Sequence, residues 1–149
     1  TITEHQSLTI DRYLRIRDAV RPSLYVMPVL QGYAPLDYAR HAAQYGSLLE
    51  RGAWVGVGSV CKRNASPSSV VAVLKAVREA RPDLRLHGFG LKKTALQWAG
   101  VTDNLHSCDS MAWSYAARRA GGGQNDVSNA LRWLEDVSRA PVQTHLEGI

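Results

Sequence analysis

The sequence predicts an α/β fold in which four β-strand–α-helix units form a parallel sheet covered by helices. Three observations predict it. Apolar, β-favouring segments alternate with segments of helical spacing, which is typical of βα units. The strand segments are near-continuous apolar runs, as in strands buried on both faces of a parallel sheet. Hydrophobic residues make up 45% of the 149 residues and charged residues 21%, which fits one folded domain and argues against a disordered chain.

The segment before the first strand, residues 1–23, predicts a leading helix. Thr9 is a suitable N-cap, and the helix would run through Val20. Three apolar side chains would form its buried side: Ile10, Tyr13 and Leu14.

The four βα units occupy residues 24–120, and the first begins with a strand over 24–31. Gly32 ends this strand, and residues 36–49 have helical spacing. The second unit begins with a strand over 53–60.

The helix of the second unit has clear start and stop signals. Ser66 is its expected N-cap, Pro67 stands at its first position, and residues 81–83 end it. Its buried face is predicted by one apolar stripe: Val70, Val73, Leu74 and Val77.

The last two units are shorter. A strand over 84–90 precedes a short helix that Gly100 closes, and a weaker strand over 104–112 precedes a helical run. Residues 121–123 predict a loop.

A C-terminal helix follows over 125–139, and 140–149 form a loose tail. Asn125 or Asp126 caps this helix. One of its faces is apolar: Val127, Ala130, Leu131, Leu134 and Val137.

Two architectures fit four such units, an open doubly wound sheet or part of a (β/α)8 barrel. A complete barrel takes about 200 residues or more, so this chain would supply half of one. No apolar run reaches the ~18 residues of a membrane span, and the first residues lack the pattern of a signal peptide. Only Cys61 and Cys108 are present, which excludes a disulfide-framed scaffold and favours a reduced cytoplasmic setting.

In both architectures ligands bind at the carboxyl ends of the strands. Polar or glycine-rich residues recur there at intervals of about one βα unit. The candidates are Gln31 and Gly32 after the first strand, Gly58, Ser59 and Val60 after the second, His87 and Gly88 on the third, and Asp109 on the fourth.

Each candidate has a functional and a structural interpretation. The amide of Gln31 could read the edge of a planar heterocycle or stabilise a turn. Asp109 could be a nucleophile at a sugar carbon or the N-cap of the next helix. His87 could stack on a ligand, donate a proton or be a satisfied core residue. The glycines around Gly58 could admit a ligand to the backbone or allow tight packing, and Cys61 breaks any dinucleotide fingerprint.

Cations also follow the strand ends, and the net charge is +5. As a rim around a barrel mouth they would suit phosphates, although a solvated surface would look the same. Cys61, His87, His106 and Cys108 have no convincing ligand spacing, so no metal is expected. The cations of interest are Lys62, Arg63, Arg118 and Arg119, with Lys92 and Lys93.

Five phrases of the sequence together resemble the tRNA-guanine transglycosylase superfamily, and most closely its deazapurine DNA-modification branch. Their order and spacing are similar to the second half of that family's (β/α)8 TIM barrel, from residue 5 to about 135. The phrases are HQSLTIDRYL (5–14), VMPVLQGY (26–33), WVGVGSVCKR (54–63), LRLHGFGLK (84–92) and HSCDSMAWSYAARR (106–119).

The resemblance implies a glycosyltransferase that exchanges guanine for a 7-deazaguanine through a covalent sugar–enzyme intermediate. Asp109 would be the nucleophile. Gln31 and Gly32 would read the base, and His87 would stand where the family stacks a residue on it.

Four further residues carry over from the same resemblance. Gly58, Ser59 and Val60 would lie where backbone amides meet the base's carbonyl. Arg118 would contact the nucleic-acid backbone.

Two departures from the family pattern change the expectation. The tRNA enzymes carry a zinc site after the nucleophile, and its absence here favours DNA over tRNA, with no metal or other cofactor. The family's first half-barrel, with its second essential aspartate, is also absent. We therefore expect a fragment, a homodimer or a chain that needs a complementary N-terminal half. The alternatives are a catalytically inactive half-barrel that binds nucleic acid or a partner, and an unrelated phosphate-binding enzyme.

Overall fold

A computed structural model describes residues 1–123 and 125–144. Its centre is a four-stranded sheet in the order β1-β2-β3-β4, with every neighbouring pair parallel. Helices lie between successive strands, so the prediction of an α/β fold with four βα units is confirmed. The strands are β1 (Val29–Leu30), β2 (Trp54–Val57), β3 (Arg85–Gly88) and β4 (Ser107–Cys108).

Seven α-helices lie in the part of the chain that the structure describes. Two 3₁₀ turns, Gly46–Leu48 and Val60–Arg63, follow α2 and β2. No described helix is long and apolar enough to cross a membrane. The helices are α1 (Ile2–Ala19), α2 (Pro35–Tyr45), α3 (Pro67–Ala80), α4 (Lys93–Leu96), α5 (Ala99–Thr102), α6 (Ala112–Arg119) and α7 (Val127–Ser138).

Helix α1 begins eight residues earlier than the sequence predicts. Thr1 and Glu4 form a capping box, in which each side chain accepts a hydrogen bond from the other residue's backbone nitrogen. Thr9 lies inside the helix, where its hydroxyl donates to the carbonyl of His5 at 2.7 Å. The prediction of Thr9 as the cap was wrong, because the box at the chain start satisfies the first free N–H groups.

The strands are shorter than the apolar runs that predicted them. Ahead of β1, Leu24 and Tyr25 are about 60% exposed and outside the ladder. An apolar run indicates that a segment is buried, whereas a strand of a parallel sheet also needs a neighbouring strand in register. The strands are therefore shorter than the apolar runs. The helix predicted to close at Gly100 is instead two short helices, and Gly100 lies inside α5 against Val71.

The core lies between one face of the sheet and the helices after β1 and β2. The predicted stripe on α3 is confirmed, since all four of its residues are fully buried. Full burial of such a side chain stabilises the fold by about 1.5–3 kcal/mol. The cluster joins Leu30, Val55, Val57 and Leu86 of the strands to Tyr38 and Ala42 of α2 and to Val70, Val73, Leu74 and Val77 of α3.

The opposite face of the sheet is only partly buried. Strand register places Val29, Gly56, His87 and Ser107 in one row across it. Side chains alternate between the two faces of a strand, so this row never contributes to the helix-covered core. The expectation of burial on both faces therefore holds for one face only among the described residues.

Helix α7 is capped by Asp126, whose carboxylate accepts from the Ser128 N–H at 2.9 Å. Its apolar face is open to solvent, with Leu131 61% exposed. The predicted loose tail is wrong at Gln143, which forms a parallel bridge to Trp98. Residues 145–149 of that tail lie outside the described residues.

Candidate active site

The residues that follow the four strands line the carboxyl end of the sheet, on the partly buried face. The register fixes this arrangement, because each lies two positions beyond a member of the row just described. They are Gln31, Gly58, Phe89 and Asp109.

Asp109 presents a carboxylate that is about half exposed. Its Oδ1 accepts a hydrogen bond from the backbone N–H of Gly90 at 2.7 Å and lies 3.5 Å from Nε2 of His87. It is not the cap of α6: the Ala112 N–H donates to Ser110 Oγ at 3.3 Å. The structural interpretation of Asp109 as an N-cap is therefore wrong.

His87 connects Asp109 to the interior of the partly buried face. Its Nδ1 lies 2.9 Å from Ser107 Oγ, which accepts the indole N–H of Trp54 at 3.0 Å. Its ring meets Trp54 and Phe89 edge-on, with centroids 5.9 and 4.9 Å away. His87 is thus held by two aromatic rings and a hydroxyl, with 12% of its side chain exposed.

Gln31 is fixed through its backbone. Its N–H donates to Nδ1 of His41 at 2.8 Å, and its carbonyl accepts from Nε2 of Gln6 at 2.7 Å. His41 Nε2 lies 3.1 Å from the Gln6 carbonyl. Burial lowers the pKa of His41, which favours the neutral ring that this accepting Nδ1 requires.

The side chain of Gln31 lies over Gly58. A β-carbon built at Gly58 would be 2.5 Å from Oε1 of Gln31, so only glycine leaves room for the amide. Ser59 Oγ lies 3.5 Å from the same oxygen. The structure therefore brings Gln31, Gly58 and Ser59 together, as the sequence predicts.

Ser59 turns the chain sharply after β2. It has φ +63° and ψ 0°, and it is the one non-glycine residue with positive φ among those described. Val60 then begins a 3₁₀ turn, where the first N–H groups have no partner within the helix. The hydroxyl of Tyr38 donates to the Gly58 carbonyl at 3.0 Å and fixes this turn from below.

Gly32 and Gly88 have packing reasons of their own. A β-carbon at Gly32 would lie 2.8 Å from Asp37 and Tyr38, and one at Gly88 would lie 2.6 Å from Leu91. Both glycines allow close packing on the covered side of the sheet, because Leu91 and Tyr38 are fully buried there. A role of either glycine in binding stays a prediction.

A buried asparagine joins the loops that follow β2 and β3. The Asn64 side-chain nitrogen donates to the carbonyls of Cys61 and Gly90, at 2.6 and 3.1 Å. Its oxygen accepts from the Lys92 N–H at 2.9 Å. The Asn64 side chain is 6% exposed and crosslinks the two loops.

The predicted cations lie beside two exposed tyrosines. Arg63 donates to the Tyr33 carbonyl, with its guanidinium 5.8 Å from the Tyr33 ring centre. Arg118 and Arg119 each lie about 6 Å from the ring centre of Tyr115. Lys62, the fourth cation of the predicted rim, is exposed in the turn beside Arg63.

Within residues 1–123 and 125–144, no three of the His, Cys, Asp and Glu side chains come together in a way that could hold a metal ion. The Ser, His and Asp side chains around His87 also differ from a hydrolase triad. In a triad the carboxylate is buried and the serine faces substrate, whereas here Asp109 is the exposed end and Ser107 the inner one.

Sequence reasoning missed Trp54, Phe89, Gly90 and Ser107. A signal was present, because Ser107 and Phe89 stand two residues from Asp109 and His87, and Trp54 stands four residues from Gly58, on the same strand or its extension. The alternation of side chains along a strand would have placed these three residues on the same face of the sheet as the candidates.

A family model matches residues 1–146 and is described as DpdA, DeoxyPurine in DNA protein A. The chain belongs to this family. The DpdA match agrees with the deazapurine DNA-modification branch expected from the sequence, and it implies DNA as the substrate. Comparisons with curated proteins and with solved structures give no significant match.

Proposed function

We propose that the chain supplies the nucleophile and part of the base-binding site of a transglycosylase that exchanges guanine in DNA for a 7-deazaguanine. The observation that carries the proposal is that a half-exposed carboxylate, Asp109, and the Gln31 amide, which lies over Gly58, stand at the carboxyl ends of strands of one parallel sheet and on the same face. DpdA family membership supports DNA over tRNA.

In the proposed reaction a deoxyguanosine is flipped out of the duplex into the mouth of the site. A carboxylate oxygen of Asp109 attacks C1′, the bond from C1′ to N9 breaks, and guanine leaves with the bonding pair and takes up a proton. The incoming deazaguanine then loses a proton and attacks C1′, which releases Asp109.

The other groups act on the base. The Gln31 amide would pair with the edge of a purine, and His87 would stand beside the bound base. The N–H groups at Ser59 and Val60 would stabilise negative charge that grows on the departing base. Gly58 leaves room for the amide, while Gly32 and Gly88 allow close packing on the covered side, behind the strand ends that would hold the base.

The site also needs a cover. Parallel sheets usually have both faces covered, and here one face is only partly buried and no described strand pairs with the outer edge of β4. The outer edge of β1 is covered, because Gln6 of α1 and His41 and Tyr45 of α2 bond its backbone. We therefore propose that the sheet is the C-terminal half of a (β/α)8 barrel, completed by a complementary half or a second copy in the cytoplasm. The cover would bring the acid/base group that the proton transfers require.

The cations support contact with the DNA backbone. Arg63 and Lys62 follow β2, and Arg118 and Arg119 lie on α6, each group beside an exposed tyrosine. The same feature favours a second candidate function, a catalytically inactive half-barrel that only binds DNA.

Replacement of Asp109 by asparagine tests the first function against the second. The protein, together with the half that completes it, is incubated with a guanine-containing oligonucleotide and a labelled 7-deazaguanine base. We expect the wild type to form a covalent DNA adduct on a denaturing gel and to incorporate label, and Asp109→Asn to do neither. Asp103→Asn, an exposed residue after α5, is the matched control.

An adduct that persists in Asp109→Asn would show that another residue is the nucleophile. DNA binding by the wild type without adduct or label would favour the inactive module.

A further inference from the structure

We propose that Trp54 and Ser107 fix the tautomer of His87, and that His87 and the Gly90 N–H hold Oδ1 of Asp109 so that Oδ2 is the attacking oxygen. Trp54 and Ser107 are positioning residues in this scheme. The role assigned to Oδ2 rests on the proposed function, whereas the tautomer of His87 does not.

The first step follows from donor and acceptor chemistry. The indole N–H of Trp54 can only donate, so Ser107 Oγ accepts it at 3.0 Å. The Ser107 hydroxyl proton is then available for its second partner, His87 Nδ1, at 2.9 Å. A neutral imidazole that accepts at Nδ1 carries its proton on Nε2.

The second step concerns the side of the ring that faces Asp109. Nε2 of His87 lies 3.5 Å from Oδ1, the outer limit of hydrogen-bond distance. Such contacts are often long in unliganded sites and shorten in the substrate complex. The Nε2–H tautomer presents a proton to the carboxylate, whereas the other tautomer would present a lone pair and repel it.

Three backbone contacts bring Asp109 into this position. The Gly90 N–H donates to Oδ1 at 2.7 Å, and the Leu91 N–H donates to the Asp109 carbonyl at 3.0 Å. The Asp109 N–H donates to the carbonyl of Gly88 at 3.3 Å. The chain from 88 to 91 therefore brackets Asp109 and limits rotation of its carboxylate.

Both side-chain contacts that the structure gives Asp109 converge on Oδ1. Oδ2 is the oxygen left for substrate, with its lone pairs free to attack. Because the Gly90 N–H donates to Oδ1 and His87 Nε2 faces the same oxygen at 3.5 Å, the charge of Oδ1 is partly compensated and it is the weaker nucleophile of the two.

Nuclear magnetic resonance of ¹⁵N-labelled histidine tests the tautomer in the 149-residue chain. His41 is an internal reference, because the backbone N–H of Gln31 can only donate to its Nδ1 and the Nε2–H form is required there. We expect His87 to show the same Nε2–H pattern in the neutral ring. A predominant Nδ1–H form of His87 would overturn the proposal.

Variants at two positions separate the effects of Ser107 and Trp54 on the tautomer of His87. Ser107→Ala removes the donor to Nδ1 and is expected to shift His87 to a mixture of tautomers, while Ser107→Thr retains the hydroxyl and restores the Nε2–H form. Trp54→Phe keeps an aromatic side chain but removes the N–H together with part of the indole, so an intermediate mixture is expected. Ser47→Ala, at an exposed site, is the control. An unchanged ¹⁵N spectrum of His87 in Ser107→Ala would contradict the proposal that Ser107 fixes its tautomer.

The rate of adduct formation tests the consequence for Asp109. Ser107→Ala should slow the step about 10-fold with unchanged DNA affinity, as expected for the loss of one hydrogen bond that orients the nucleophile. Ser107→Thr should recover it. If Asp109→Asn still forms an adduct, the nucleophile in the proposed function is wrong while the tautomer result stands. A normal rate in Ser107→Ala with a shifted tautomer would refute the positioning role.

Discussion

The two faces of the parallel sheet differ in burial and in chemistry. On the face under α2 and α3, Leu30, Val55 and Leu86 are fully buried. On the other face, Trp54, His87 and Ser107 are partly buried and joined by hydrogen bonds. Because side chains alternate along each strand, the same short strands supply a buried apolar face and a face that carries the polar candidate residues. Substitutions on the two faces should therefore affect different measurements.

The largest effect on stability is expected from the covered face. Leu86→Ala removes a fully buried side chain and should lower the free energy of unfolding by about 2–5 kcal/mol in a urea titration. Leu131→Ala on α7 is the matched control, since Leu131 is 61% exposed and its loss should change stability by about 0.5 kcal/mol or less. Equal losses in the two variants would contradict the assignment of the core.

A pair of glycine substitutions distinguishes the contributions of the two faces next to the candidate site. In Gly32→Ala the new methyl group meets the fully buried Tyr38, and we expect a loss of about 1–3 kcal/mol. In Gly58→Ala it meets the end of the Gln31 side chain, which can move away. Stability should change little, while affinity for the purine base falls about 10-fold with the loss of one hydrogen bond. Calorimetry of base binding and urea unfolding measure the two effects.

If Gly58→Ala binds the base as tightly as the wild type, the amide of Gln31 does not read it. A loss of stability as large as that of Gly32→Ala would show instead that Gln31 cannot move.

The smallest effect is expected from the pH dependence of the free energy of unfolding, through His41, which holds the backbone of Gln31. Burial holds the folded-state pKa of His41 below its unfolded value of about 6.5, so the unfolded chain binds this proton more readily. The stability due to neutral His41 is present above about pH 6.5 and is lost as pH falls toward the folded-state pKa. His41→Gln offers a donor and an acceptor without titrating, and its stability should fall less from about pH 7 to about pH 5. Identical pH profiles would contradict the role of His41.

The order of the elements and the strand-end residues could be predicted from the sequence. Alternating apolar segments gave the four βα units, and the spacing of Gln31, Gly58 and Asp109 placed them at one edge. The start of α1 could not be predicted from Thr9, because a capping box at Thr1 and Glu4 competes with it.

Other features depend on contacts between distant segments. Strand length depends on partners in register, which an apolar run such as 24–31 does not encode. The bridge at Gln143 pairs with Trp98, 45 positions earlier, and no local pattern marks it. The sheet face that carries Phe89 and Ser107 becomes visible only when alternation is followed past the end of each strand.

Asn64 has a consequence for how the rim of the site can move. Its one side chain bonds the loop after β2, at Cys61, and the loop after β3, at Gly90 and Lys92. Separating the loops would leave buried polar groups without partners, at a cost of about 1–3 kcal/mol for each. The turn that carries Ser59 and the Gly90 peptide that bonds Asp109 are therefore expected to shift together, so that a change in one loop is transmitted to the other.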